Sequence, residues 1–296
     1  WDMDDEYMVI SAGLSATKPD HQHADMLGLV AYAHGNEVLP NYQVKYNEPD
    51  FQYWKNSWVK SVALVDSIPQ AQKWKGNSGG SGFGKWLDLP NPKVNVHSFG
   101  EDMDYFSGSH NGYKSLNISY QREVIFVKAG FWIVSDYFKN PDGLQHDYQQ
   151  LWQGKYLLSN PKAIKSSFEN GSAFEIRSLD DKDCDWVFGS YKSKGSVIRQ
   201  ETSRSKTHRM TSLLIPSPSG QTDLPEDWKL MVGSDLKQAF PDLYRDGVRW
   251  VLKSEESLLY LFDKGVLADG SMQKAEPVFV FIKQDVVKLY GSPSNK

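Results

Sequence analysis

The string His21-Gln-His-Ala-Asp25 holds three groups able to coordinate, donate or accept protons, at alternate positions just ahead of an apolar run. In an extended chain, residues i, i+2 and i+4 point to one face. His21, His23 and Asp25 are therefore expected to converge on one side of a sheet, where two imidazoles could bind a metal or hold an anion. The plain alternative is a pair of solvated loop histidines with Asp25 as a turn residue, because His-x-His is a weak pattern by itself. Trp54, Trp58, Trp74 and Trp86 cluster around a loop-rich stretch. Their indoles could stack on sugar rings, or anchor core and loops, since Trp is highly buried on average. His97 and His110 read as surface or hydrogen-bonded histidines, and His34 as a turn residue. Arg122 shares a strand with Lys128 and reads by default as part of a solvated sheet face, with contact to an acidic polymer as the functional alternative. No phosphate-binding Walker loop, GxGxxG before a helix, GxSxG or CxxC motif occurs.

The elements that must position these groups follow from composition and pattern. At 296 residues the chain suits one large domain or two ordinary ones, and can bury a core without disulfides or metal. Its one cysteine, Cys184, excludes an intramolecular disulfide framework. The formal charge of −4 gives a nucleic-acid partner little electrostatic support. No apolar run approaches the ~18 residues of a helical membrane span, so no membrane partner is expected. The start lacks a basic, then apolar leader, so no signal peptide is expected, and Trp1 reads as the beginning of a mature or trimmed portion of something longer.

Strand signals dominate. They run over Met8–Ala12, Met26–Ala33, Trp58–Val65, Asn117–Val127, Phe131–Phe138, Ala173–Arg177, Arg209–Ile215, Val248–Lys253, Ser257–Phe262, Val278–Lys283 and Val286–Tyr290, with Asn-Gly, Asp-Gly and Pro turns between them. Such spacing predicts an all-β fold, a large antiparallel β-sandwich. Only Ser234–Leu243 reads as helical, a short turn capped by Ser234 and broken by Pro241. Asn77–Gly84, Leu87–Val96 and Ser217–Asp227 read as loops, and Ser292–Lys296 as a disordered tail. A seam near 190–205 divides the chain into residues 1–200, the main sandwich, and 201–296, a smaller C-terminal β-subdomain or a continuation of the same sandwich.

The longer context of the first motif, His21-Gln-His-Ala-Asp-Met-Leu-Gly-Leu-Val-Ala-Tyr-Ala-His-Gly-Asn-Glu-Val-Leu-Pro-Asn41, resembles the opening of the β-domain of heparinase II/III-like polysaccharide lyases, a superfamily that includes alginate lyases. The resemblance continues through Tyr53-Trp54, Trp58-Val-Lys-Ser-Val-Ala-Leu-Val-Asp66, His110-Asn-Gly-Tyr113, the run Tyr120–Asp136, and His146 followed by Leu151-Trp-Gln153. It covers roughly residues 8–155 and implies a supersandwich-like fold.

The resemblance also implies roles. His21 matches a histidine facing the active cleft, where it would contact a uronate carboxylate. His23 matches a metal ligand, usually to zinc. Asn41 stands where the family has a second ligand, an Asp, and Lys60 where it has a third, a His; Gln153 also replaces a family His. An ammonium cannot coordinate a metal and repels one nearby. A structural zinc needs about four N, S or O ligands. The site is therefore expected to be degenerate, with no cofactor, zinc or another divalent metal through His23 being the alternative. Lys60 is expected to take the place of the cation and hydrogen-bond Asn41. Substrate contacts are expected from Lys60, Trp54, Trp86 and His110.

The implied chemistry is β-elimination at a uronic acid. A base removes the C5 proton while the neighbouring carboxylate is neutralised. In such lyases the principal Tyr lies on a helical toroid preceding the β-domain. No helical-hairpin run is visible in this chain. The expected partners are thus an acidic polysaccharide and an N-terminal helical toroid domain of the parent protein, with little or no activity from the isolated chain. A polysaccharide substrate suggests a bacterial secreted or periplasmic enzyme. The alternative function is a non-catalytic carbohydrate-binding or structural β-sandwich that needs no His21. Asn117-Ile-Ser and Asn170-Gly-Ser are glycosylation sequons, relevant only in a eukaryotic secretory setting.

Overall fold

Runs such as Val124-Ile-Phe-Val127 and Phe131-Trp-Ile-Val134 are apolar without alternation, as strands are when both faces are covered. The computed structural model describes residues 5–14, 21–42, 44, 50–79, 83–180, 184–225, 227–262, 265–266, 272–273, 278–284 and 286–290. These two runs lie at the centre of an eight-stranded sheet. Its order is Leu157–Asn160, Ala163–Ser167, Ala173–Ser178, Thr207–Ser217, Phe131–Lys139, Ser119–Val127, Met103–His110, Pro92–Ser98, and every pairing is antiparallel.

One face of this sheet presents Tyr105, Ile125, Ile133 and Leu213 to Trp250, Leu252, Leu259 and Phe279 of a five-stranded C-terminal sheet. The other face presents Val124, Trp132, Val134 and Leu214 to two smaller sheets. One is built from Tyr7–Ile10, Leu29–Ala33 and Asn36–Leu39. The second has the order Asp185–Tyr191, Lys194–Ser203, His146–Gln153, Ala63–Val65. The antiparallel β-architecture expected from sequence is present, with three β-layers.

Several expectations need correction. Pro92–Ser98, which overlaps the loop expected over Leu87–Val96, is the edge strand of the large sheet, where Pro is tolerated because one side of the strand is unpaired. The division at residue 200 falls inside a strand, and Thr207–Ser217 is central to the large sheet, so the change of sheet comes at Lys229. The helical segment is two short helices, Gly233–Ala239 and Pro241–Arg245, without a side-chain cap from Ser234. Trp74–Gly76 and Gly84–Trp86 pair as a hairpin around the Gly/Ser stretch. The tail Ser292–Lys296 lies outside the described residues.

Between the layers sits an ion pair. Arg122 and Asp136 are fully buried, on paired positions of adjacent strands. Arg122 Nε donates to Asp136 Oδ1 at 2.7 Å and Nη2 to Oδ2 at 2.8 Å. Tyr120 Oη and Gln150 Nε2 also donate to this carboxylate, at 2.7 and 2.8 Å. The solvated face expected for Arg122 is thus incorrect: the guanidinium faces the smaller sheets, where its Nη1 donates to the carbonyls of Leu27 (2.9 Å) and Ser61 (3.0 Å). Removing one partner leaves the other charge buried and unpaired. Asp136→Ala is expected to lower the unfolding free energy by about 3–5 kcal/mol in denaturant titrations. A loss below about 1 kcal/mol would show that the pair is not a structural pin.

Candidate functional site

The segment that carries His21, His23 and Asp25 is not a strand. Regular pairing begins only at Leu29, after a tight turn in which Gly28 N–H donates to Asp25 O at 2.7 Å. The turn needs glycine: a Cβ on Gly28 would sit 2.8 Å from that carbonyl. The expected convergence through pleat geometry is therefore replaced by convergence through loop anchoring. Ala24 N–H donates to Lys55 O at 2.8 Å and Ser57 Oγ to Ala24 O at 2.7 Å. Gln70 clamps Met26 from both sides, accepting its N–H at 2.7 Å and donating to its carbonyl at 3.0 Å. Arg122 holds Leu27 O.

His21 is exposed and His23 half-buried. Burial pushes His23 down to about 3, reinforced by the charges of Lys60, Lys55 and His21, so its imidazole is neutral across physiological pH. Burial raises Asp25, while Lys60 and a 3.3 Å hydrogen bond from Ser11 Oγ oppose that rise. Lys60 lies at the centre of this group. It is 3% exposed, and burial lowers its ammonium to about 8 against the pull of Asp25. Its Nζ donates to Asn41 Oδ1 at 2.6 Å and to Tyr42 O at 2.9 Å. Gln153 Nε2 holds the Lys60 carbonyl at 3.0 Å, which gives the Gln in place of a family His a backbone-pinning contact. A cavity of about 250 Å³ opens beside the pair, with Ser11, Asp25, Asn41, Lys60 and Ser61 in its wall.

A zinc or other divalent ion does not fit these residues. The oxygens of Asn41 and Tyr42 are turned towards an ammonium, and a dication beside it would be repelled. Among the described residues, no three His, Cys, Asp or Glu side chains are grouped to hold a metal ion.

Three residues expected to touch substrate occupy other positions. Trp86 is 4% exposed; its indole N–H donates to Lys55 O at 3.0 Å and its ring packs edge-on against Trp74. Trp54 is 3% exposed and lies edge-on to Tyr53 and Tyr191. His110 is buried between the rings of Tyr113 and Tyr120, accepts the Gly112 N–H at Nδ1 (3.1 Å), and is pushed by burial and the Arg122 charge to about 3. Ring faces packed in protein cannot stack on a sugar, so these side chains are corrected to supports. Lys55 O receives both Trp86 and Ala24, so Trp86 steadies the His21–Asp25 segment through one carbonyl. His110 lies 3.4 Å from Gln70, the clamp on Met26.

Other contributors gave no sequence signal. Lys55 is buried, with its Nζ 3.5 Å from Gly84 O and over the Trp74 ring. Tyr191, at the tip of the hairpin joining Asp185–Tyr191 to Lys194–Ser203, packs on Tyr53 at 4.0 Å and donates to Asp50 at 2.8 Å, docking that tip on the one-turn helix Phe51–Trp54.

The family model described as heparinase II/III-like, C-terminal, matches residues 1–230. Among curated proteins none matches the chain. Solved structures do. A heparan sulfate lyase, HepC from Pedobacter heparinus, is similar over 86% of this chain and 38% of its own length, at 14% identity and a TM-score of 0.60. A heparinase III is similar over 96% of this chain and 40% of its own, at 14% identity and a TM-score of 0.58. At such identity the likeness is one of fold, and this chain spans about two fifths of the length of those lyases. The ordered motifs from His21 to Gln153, the antiparallel layers and the family match over residues 1–230 agree: the chain belongs to the heparinase II/III-like C-terminal domain family.

Proposed function

We propose that this chain forms one wall of the cleft of an acidic-polysaccharide lyase, with His21 at the rim. The observation that carries the reading is the exposed His21 beside the neutral His23, with the buried ammoniums of Lys55 and Lys60 close enough to bias the His23 imidazole. Buried positive charge behind an open imidazole favours a carboxylate in front of it, because burial weakens screening. In β-elimination a base takes the C5 proton and its electron pair forms the C4–C5 double bond. The C4–oxygen bond breaks, and the departing oxygen collects a proton. Charge builds on the C6 carboxylate as the proton leaves, so a positioned donor such as His21 lowers the barrier.

In this reading the base is supplied by a partner domain. Burial pushes the Tyr42 hydroxyl up to about 12 and raises Tyr53, so neither phenol is poised to accept a proton near neutrality. This supports a helical partner domain that supplies the base and roofs the cleft. Uronate polymers of the heparan sulfate or alginate type as substrates support a secreted or periplasmic parent enzyme. In this reading the Lys60 ammonium does the organising work of a metal ion. A non-catalytic module built on aromatic platforms is disfavoured by the burial of Trp54 and Trp86.

Three outcomes are expected. In the full-length parent, His21→Ala lowers kcat for unsaturated-uronate production by about 10²–10³, the usual cost of removing one charge-stabilising donor, and stability stays within about 0.5 kcal/mol. Turnover retained at half the wild-type rate would overturn the role of His21. Dialysis against a chelator leaves the melting temperature unchanged, and elemental analysis finds no stoichiometric metal; a metal lost together with stability would refute the ammonium substitution. The third concerns pH. Lys60 titrates near 8 in the fold and near 10.5 unfolded, so between these values the unfolded chain binds more protons and stability rises with pH. This contribution is fully present above 10.5 and is lost as pH falls through 8. Lys60→Met should therefore show a shallower gain in denaturation free energy between pH 8 and 10.5 than wild type. Parallel profiles would contradict the burial of a charged Lys60.

A further inference from the structure

The face of the large sheet that meets the C-terminal sheet changes character partway along its strands. Tyr105, Ile125, Ile133 and Leu213 form its last apolar row under that sheet. Two residues further on, the row is Ser107, Glu123, Ser135 and Thr211, in register across four strands. It is closed by its own hydrogen bonds: Tyr105 Oη to Glu123 at 2.8 Å, Arg209 to Glu123 and to Ser135 Oγ, both at 2.6 Å, and Ser135 to Thr211 at 3.1 Å. The carboxylate of Glu123 is thereby buried and neutralised.

Past that border the next row is Lys93, Ser109, Gln121, Tyr137 and Arg209, paired in register across five strands. At ~4.8 Å per strand it is about 19 Å wide. Ser119 and Lys139 lie opposite each other one row beyond. The edge strand is bulged between Val94 and Val96, where Ser109 Oγ donates to Asn95 Oδ1 at 3.1 Å; a bulge bends its strand. Here the face forms a groove of about 320 Å³ lined by lysine, hydroxyl and amide side chains together with Val96 and Tyr137, with no carboxylate in its wall. Three other cavities carry carboxylates: Asp25 in one, Asp88 in another, and Glu101, Asp102, Asp227, Glu255 and Glu256 in the third. The guanidinium of Arg209, paired with Glu123, packs over the Tyr137 ring at 4.7 Å, and Lys139 Nζ is 5.9 Å from the centre of that ring, so the positive potential of the groove comes from Lys93 and Lys139.

We infer that this groove is a second binding site for an acidic oligosaccharide, on the face of the large sheet opposite the His21 segment. Lysines answer carboxylate or sulfate groups, the Ser, Asn and Gln side chains answer sugar hydroxyls, and the five-strand width suits several sugar units rather than one. A net-negative protein that keeps a carboxylate-free, lysine-flanked groove selects an anionic ligand by charge complementarity. The class of polymer rests on the proposed function; the site does not, since it shares no residue with the His21 group. The site would hold a polymer chain on the domain while another stretch of it is processed.

The test is calorimetric titration of the full chain with size-defined heparan sulfate and, separately, alginate oligosaccharides. Lys93→Ala/Lys139→Ala should weaken binding of one of them by about tenfold or more, while the charge-matched pair Lys229→Ala/Lys237→Ala, on the C-terminal sheet and the helix Gly233–Ala239 respectively, changes it by less than twofold. His21→Ala should leave the groove component in place. Binding that ignores the Lys93/Lys139 pair but disappears with His21→Ala overturns the groove and spares the lyase reading. Absence of binding to both glycans by wild type overturns the groove and also the acidic-glycan reading. All these lysines are on the surface or half-exposed, so the variants are expected to fold, which circular dichroism checks.

Discussion

The site depends on a guanidinium buried where no water reaches it. Arg122 must satisfy its N–H donors inside the protein, because an unpaired buried charge is among the costliest defects a fold can carry. Two donors go to Asp136 and the Nη1 nitrogen serves the carbonyls of Leu27 and Ser61. Those carbonyls belong to the turn after the His21–Asp25 segment and to the residue after Lys60. One rigid, planar group thus braces the relative position of two irregular segments whose backbones otherwise meet through a lone Leu29–Ser61 bridge and the Ala24–Lys55 hydrogen bond. The large sheet supplies the rigidity, since Arg122 and Asp136 face each other across two nine-residue strands.

From that fixed frame the electrostatics follow. His23, Asp25, Lys55 and Lys60 are buried or half-buried, and every one is shifted by, or shifts, another of the group. Lys60 and Asp25 each oppose the other's desolvation. His23, squeezed by cations, is held neutral, while His21 stays exposed. A metal ion would impose a similar order by pulling anionic and neutral ligands inward. An ammonium does so with three N–H donors and one charge, which matches the neutral oxygens of Asn41 and Tyr42 better than a dication would.

The sequence was most informative where one physical rule acted alone. Long apolar strands such as Phe131–Lys139 and Thr207–Ser217 were legible because both faces are covered and the pattern has no competitor. The Lys60–Asn41 contact was legible because an ammonium at a ligand position must find acceptors. Legibility failed where burial depends on distant partners. Trp54, Trp86 and His110 sit in a loop-rich stretch that looks open locally, and are covered by Tyr191, Trp74 and Tyr120 respectively. Arg122 reads as a surface residue, because its partner Asp136 is fourteen residues away across a hairpin and its other acceptors are carbonyls, which carry no sequence signature. The His21–Asp25 spacing suggested a strand, but Gly28 enforces a turn first. The polar end of the large sheet escaped notice because Ser, Gln and Asn in alternation with apolar residues look like any solvated strand.

The retention of Lys60 bears on whether this region is structural or functional. Lowering an ammonium from 10.5 to about 8 corresponds to roughly 3 kcal/mol of unfavourable burial at neutral pH, a large share of a net stability of about 5–15 kcal/mol. A methionine or leucine would fill the same space without that penalty, and replacing buried charges by packed apolar groups is often stabilising. Positions where a chain keeps a costly buried charge next to an open cavity are the ones where local stability is subordinate to the electrostatic field. Lys60 meets both conditions, being 3% exposed and in the wall of the cavity beside Asp25. Arg122 does not: its charge is balanced by a bidentate carboxylate, it makes four hydrogen bonds, and it lines none of the cavities described above. Among the buried cations of this chain, Arg122 and Lys60 therefore follow opposite logic, one paired with a carboxylate inside the frame and one kept at a cost in the wall of a cavity.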